Sequence, residues 1–207
     1  MKHRSTRDQQ MRLLLAQEAA RLMAGDGRLD YYSAKRKAAE HLGADDTRNL
    51  PSNSEVETAL QEYQRIFLTD SHPQQVRHLR ETAVEAMEML ADFDPHLAGP
   101  VLLGTAGPHS EIQLHLYAPS VETVGFHLMD QGVPYQLHET FMRFNGEEHP
   151  YPSLRFIAGE DTIDLVVFPD RKLHQAPKSP VDGKAMKRAR LDEVRELLEE
   201  TVLTANS

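Results

Sequence analysis

Residues 97–118 read LAGPVLLGTAGPHSEIQLHLYA. The order of residue types predicts a strand, a glycine-bearing turn and a second strand. In the second half, Ile112, Leu114 and Leu116 fall on one face of an extended chain, and Glu111, Gln113 and His115 on the other. An acid, an amide and an imidazole on one face predict that this face looks outward or into a cleft. Ahead of them, Gly99, Gly104 and Gly107 remove side chains from a connection that can then bring backbone N–H groups close to a ligand. On their own such glycines mark only a turn.

Working upstream, Val76, Leu79, Ala83, Met87 and Leu90 form one apolar stripe, so a helix runs from near Pro73 to Asp94-Pro95 and leads straight into the stretch. Ser54 and Glu57 have capping-box spacing and predict another helix to about Leu68. Residues 45–53 form a polar linker containing Pro51. Before it, Met11, Leu14, Leu15, Ala19, Leu22 and Met23 recur at helical spacing between Arg4 and Ala24. A second helix, Tyr32 to Leu42, carries Lys35-Arg36-Lys37 and stops at Gly43. The pair reads as a helical hairpin with an exposed basic face, with a DNA-binding helix-turn-helix as the sharper alternative.

Downstream, Pro119 and Ser120 open a helix to about Gln131, with Val121, Val124, Leu128 and Met129 inward. Gln136 to Phe144 alternates as a strand, and Asn145-Gly146 gives a turn. Leu154 to Ala158 pairs with that strand or with Thr162 to Phe168, across Gly159-Glu160-Asp161. Residues 170–190 hold seven Lys/Arg and two prolines, which predicts an irregular basic arm. A helix with Val194, Leu197 and Leu198 inward closes the chain. The fold class is therefore α+β with a mixed sheet. The chain divides into a helical arm (1–50), an α+β domain (51–170), and a basic arm with a C-terminal helix (171–207).

The 207 residues include no cysteine, which excludes disulfides and Cys-based zinc sites. No apolar run reaches the ~18 residues of a spanning helix, so the sequence predicts a cytoplasmic protein with no membrane partner. The net charge of −9 is unevenly distributed: residues 1–41 carry +4, residues 42–169 carry −14, and residues 170–207 carry +1. Basic ends on an acidic middle suit either end-to-core contacts or a polyanion held at the flanks; solvated surface charge is the blander reading. Gly183-Lys184 is not a phosphate loop, because Lys178 stands where a glycine is required and Ala185 follows the lysine. That argues against an ATP-dependent amide ligase.

The spacing within 99–114 resembles the nucleotidyltransferase superfamily, the DNA polymerase beta-like fold. There a glycine-serine turn is followed by a strand carrying Asp-x-Asp, and a third carboxylate comes from a later strand. Here Gly99 and Gly104 are five apart, Glu111 lies twelve after Gly99, and Ser110-Glu111-Ile112-Gln113-Leu114 occupies the acidic-strand position. Pro100 replaces the family's serine, Glu111 its first aspartate and Gln113 its second; Asp164 matches the third carboxylate.

The resemblance implies a mixed sheet of the nucleotidyltransferase type and transfer of a nucleoside monophosphate from a nucleoside triphosphate to a hydroxyl on RNA, protein or a small molecule. It implies Glu111, Gln113 and Asp164 as catalytic residues, with Mg²⁺ or Mn²⁺ on Glu111 and Asp164. Gly99, Gly104, Thr105 and Ser110 would hold phosphates, and Lys178 and Lys184 would return over them. Gln113 offers a neutral carbonyl where Mg²⁺ prefers a charged oxygen. The alternative is accordingly a non-catalytic nucleotide-responsive or partner-binding module, or an RNA-binding one through the two basic segments.

Overall fold

The computed structural model describes residues 6–44, 49–69, 71–169 and 176–205. The expected helix start at Arg4, part of the polar linker and the beginning of the basic arm lie outside them. Within them the chain is α+β, with seven helices and a five-stranded mixed sheet.

Helices α1 (Thr6–Gly25), α2 (Tyr31–His41) and α3 (Asn53–Phe67) pack together at the N-terminal end. Leu15, Ala16, Ala19, Ala34, Ala38, Ala39 and Val56 share one core, and Ala20, Ala24 and Leu60 extend it. The alanines let the three backbones approach closely. The capping box of α3 is Ser52 with Glu55, two residues earlier than Ser54 with Glu57. Glu57 is instead buried and accepts a hydrogen bond from the Tyr31 hydroxyl at 2.5 Å, tying α3 to α2. Leu14, one of the apolar residues at helical spacing in α1, is 49% exposed.

Helix α4 (Ser71–Met89) buries the expected stripe of Val76, Leu79, Ala83 and Met87, followed by buried Leu90. Asp94, in the left-handed conformation at φ 49°, turns the chain into β1 (His96–Ala98). The glycine-bearing connection then winds as a short helix, α5 (Gly99–Leu103), ended by Gly104 at φ 74°. Strand β2 (Ile112–Tyr117) is followed by α6 (Val121–Asp130), β3 (Gln136–Phe144), β4 (Glu147–Ala158), β5 (Asp161–Phe168) and α7 (Leu191–Ala205).

The sheet order is β1-β2-β5-β4-β3. Strand β2 runs parallel to β5, and every other pair is antiparallel. Strand β4 starts earlier than Leu154 and pairs with both neighbours. Pro150 and Pro152 are tolerated because β5 pairs only with 153–158, so near the prolines β4 has a strand on one side alone.

One face of the sheet, with Ile112, Leu114, Leu116, Ile163, Leu165, Val167 and Leu154, packs against α4, α6 and α7 in the main core. In α6, Val124 and Leu128 are buried, whereas Met129 is 61% exposed rather than inward. The other face carries Tyr117, Met142, Phe144, Val166 and Phe168, packed with Tyr151. Residues 176–190 return along the sheet: Leu97 and Ala189 exchange two backbone hydrogen bonds, and the Lys178 amide donates to the Arg143 carbonyl. Asn53 joins this segment to the helical arm, accepting from Lys35 Nζ at 2.7 Å and donating to the Pro180 carbonyl at 2.6 Å. No helix among the described residues is long and apolar enough to cross a membrane.

Candidate functional site

Strand pairing assembles the site. Gln113 on β2 lies beside Asp164 on β5, and Asp164 beside Arg155 on β4, so the three occupy one row across the sheet. Their side chains share the face opposite the main core, because each alternates with a buried apolar residue of that core. Together with Gly27, Arg28, Pro100, Ser110 and Glu111 they line a cavity of about 400 Å³.

Asp164 is 4% exposed. One of its oxygens accepts from the Thr140 hydroxyl at 3.3 Å; the other, Oδ1, has no hydrogen bond and lies 3.8 Å from Arg155 Nη2. The same nitrogen is 3.0 Å from Glu111 Oε2, so one guanidinium serves both carboxylates. Thr140 Oγ1 also lies 3.1 Å from the hydroxyl of Ser153, which is fully buried in the next row.

The glycine turn supports the cleft from below. Gly99 has φ 70°, a conformation that favours glycine, and a Cβ there would come within 3.4 Å of Gln113 Oε1. Ser110 faces the helical arm: its hydroxyl accepts from the Gly107 amide at 2.8 Å and donates to the Gly27 carbonyl at 3.4 Å.

The expected site residues therefore fall into three places. Glu111, Gln113, Asp164 and Ser110 line one cavity, with Gly99 against Gln113. Gly104 and Thr105 line a separate cavity of about 340 Å³ with Gln64, Arg65 and His72, where Gln64 donates to the Thr105 carbonyl. Lys178 and Lys184 lie outside both: Lys178 is exposed on the edge of β3, and Lys184 pairs with Asp182. The cations of the main cavity are Arg155 and Arg28.

His115 departs from the expectation that its face looks outward or into a cleft. It is fully buried one row beyond Gln113, edge-on to Phe168 with ring centroids 5.1 Å apart. Neither ring nitrogen has a hydrogen-bond partner. Burial, with the nearby charges of Arg188 and His96, lowers its pKa to about 3.

With Arg155 in place the donor set does not fit a divalent ion. The guanidinium stands where a metal bridging Glu111 and Asp164 would stand. A doubly charged ion within ~4 Å of it would meet a repulsion on the order of several kcal/mol at an effective dielectric near 20. Gln113 adds no charge to offset this. Among the described residues, no group of three or more His, Asp or Glu side chains is placed to hold a metal ion. What the arrangement can do with its own groups is hold a polar ligand between paired acids and guanidinia, against an amide donor and a half-buried threonine.

No known protein-family model matches the chain, and no curated protein matches its sequence.

Proposed function

We propose that the chain is a divergent nucleotidyltransferase-like domain that binds a nucleotide in the cleft of Glu111, Gln113, Arg155 and Asp164 without carrying out metal-dependent transfer. The nucleotide rests on the resemblance of the 99–114 spacing. Binding rather than transfer rests on one observation, the Arg155 guanidinium 3.0 Å from Glu111 and 3.8 Å from Asp164. A fixed cation there offsets one of the two acid charges, and Arg28 on the cavity lining balances the other, so the cleft tolerates an anionic ligand without a metal.

The second reading is transfer of a nucleoside monophosphate to a hydroxyl acceptor on RNA, protein or a small molecule, with Mg²⁺ or Mn²⁺. It is favoured by the convergence of Glu111, Gln113 and Asp164 on one cavity wall, and it requires Arg155 to leave the carboxylates.

Equilibrium binding of each ribonucleoside triphosphate, with and without Mg²⁺ or Mn²⁺, separates the two. The binding reading expects affinity that is independent of the divalent ion in the wild type and weakened in Arg155→Ala. The transfer reading expects affinity that needs the ion and is lost in the Glu111→Gln/Asp164→Asn double variant. No binding by the wild type under any condition sinks both.

A further inference from the structure

The turn between α1 and α2 belongs to the helical arm, yet it forms part of the cleft wall. Its backbone approach to the domain is unusually close. A Cβ on Gly27 would lie 2.7 Å from both the amide nitrogen and the hydroxyl of Ser110, so no other residue fits there without movement. From the opposite side, a Cβ on Gly107 would lie 3.2 Å from the Cα of Gly27. Ser110 fastens the contact through its bonds to Gly107 and Gly27, and Ser110 immediately precedes Glu111 in the chain.

The turn is also held from its own side. The Arg28 amide donates to the Asp26 side chain at 3.2 Å, and the Leu29 amide donates to the Asp26 carbonyl at 3.1 Å. Asp30 then caps α2 by accepting from the Ser33 amide at 2.6 Å. Arg28 is thereby delivered to the cleft by backbone geometry, with its side chain exposed and, among the described residues, paired with no carboxylate. Arg155, across the cavity, is already shared between Glu111 and Asp164. The cleft thus holds one guanidinium committed to its own acids and one uncommitted at its mouth.

We infer that Arg28, presented by the Gly27–Ser110 contact, is the residue that binds the anionic group of the ligand, and that this group is a phosphate chain. This rests on the nucleotide reading for the rest of the ligand, but the anion-binding role does not. An uncommitted guanidinium offers paired N–H donors that match phosphate oxygens, and removal of its charge is not compensated by Arg155. The helical arm is then part of the binding site, and its docking sets the affinity for phosphate.

The test is calorimetric titration of wild type, Arg28→Ala, Arg28→Lys and Gly27→Val with inorganic tripolyphosphate, each ribonucleoside triphosphate and each nucleoside. Circular dichroism verifies that the variants fold. Tripolyphosphate and triphosphates should bind at least tenfold more weakly to Arg28→Ala, with partial recovery in Arg28→Lys. Gly27→Val should weaken both, by displacing the turn. Tripolyphosphate binding equal in wild type and Arg28→Ala overturns the inference, and the nucleotide reading stands if triphosphates still bind. Arg28-dependent tripolyphosphate binding with no gain from any attached nucleoside supports the inference and overturns the nucleotide reading. Failure of wild type to bind any phosphate compound overturns both.

Discussion

The two faces of the sheet are built from the same strands by opposite rules. On one face, Ile112, Leu114, Leu116, Ile163, Leu165 and Val167 are all essentially inaccessible and share one core with apolar side chains of α4, α6 and α7. On the other, a row of Gln113, Asp164 and Arg155 gives way within one residue pair to buried His115, Val166 and Ser153, and then to Tyr117, Phe168 and Tyr151. The first face is held by burial that has no preferred direction. The second is held by a few directional contacts, several of them incomplete: Asp164 Oδ1, Arg155 Nε and both nitrogens of His115 lack hydrogen bonds. Unmet polar groups of this kind cost stability, and on this chain they sit beside the cleft. One face supplies the stability that the other consumes.

The contrast breaks most sharply by truncation. Leu165→Ala, in the centre of the apolar face, should destabilise the protein by about 2–5 kcal/mol, because it loses buried methyl groups and leaves a cavity between β5 and the helices. Urea unfolding followed by circular dichroism measures this. A loss under about 1 kcal/mol would mean that the face repacks freely and is not the main core.

Arg155→Ala on the polar face should cost less, about 1–3 kcal/mol, chiefly by stranding the buried Asp164 carboxylate. Its signature is reversal: Arg155→Ala/Asp164→Asn should recover part of the loss, since the amide needs no counter-charge. The Thr140 bond to Asp164 remains available in the single variant, which keeps the cost below that of a fully buried ion pair. Equal stability of single and double variants would remove the charge argument.

Acid separates the faces by sign. His115 is held neutral down to about pH 3, while in the unfolded chain it takes up a proton near its ordinary value of 6.5. Between those values the unfolded state binds more protons, so stability should fall as pH drops, by on the order of 1.4 kcal/mol per pH unit for this one group. Half-buried His72 is shifted in the same direction, also mainly by burial. The carboxyls of Glu18 and Glu55 are lowered to about 2, chiefly by Arg21 and Arg12 respectively. Their contributions are lost only as pH falls below the usual carboxylate range, so the window from pH 6.5 to 4.5 reports the histidines. His115→Phe should flatten the stability profile in that window, measured by thermal melting at several pH values. An unchanged slope would place the acid sensitivity elsewhere.

How much of this was legible follows from range. The apolar face is written in period-two alternation within β2 and β5, and the stripe of α4 in its helical spacing; both are local. Glu111, Gln113 and Asp164 were found through the resemblance, and the parallel pairing of β2 with β5 does bring Gln113 beside Asp164. Arg155 was missed although its signal was present. Antiparallel strands joined at Gly159-Glu160 pair residue 158 with 161, which counts back to 155 opposite 164. Thr140 and Arg28 had no such signal, because they arrive through a third strand and through the docking of the helical arm. The burial of His115 was equally illegible: it depends on Phe168, more than fifty residues away, standing edge-on to the ring.

Met129 gives the smallest effect and a direct check on the apolar face. Helical spacing alone puts it on the inward side of α6 with Val124 and Leu128, yet it is 61% exposed while Leu128 is fully buried. The two are adjacent in sequence, and a helix of ten residues turns about 100° between neighbours, so a narrow contact with the sheet takes one and releases the other. Met129→Gln should then change stability by no more than about 0.5 kcal/mol, as at other surface positions. Leu128→Ala should cost several times as much, about 2–5 kcal/mol. Comparable losses at both positions in urea unfolding would mean that α6 is rotated on the sheet, with both side chains in the core, and that the apolar face is wider than the packing described above.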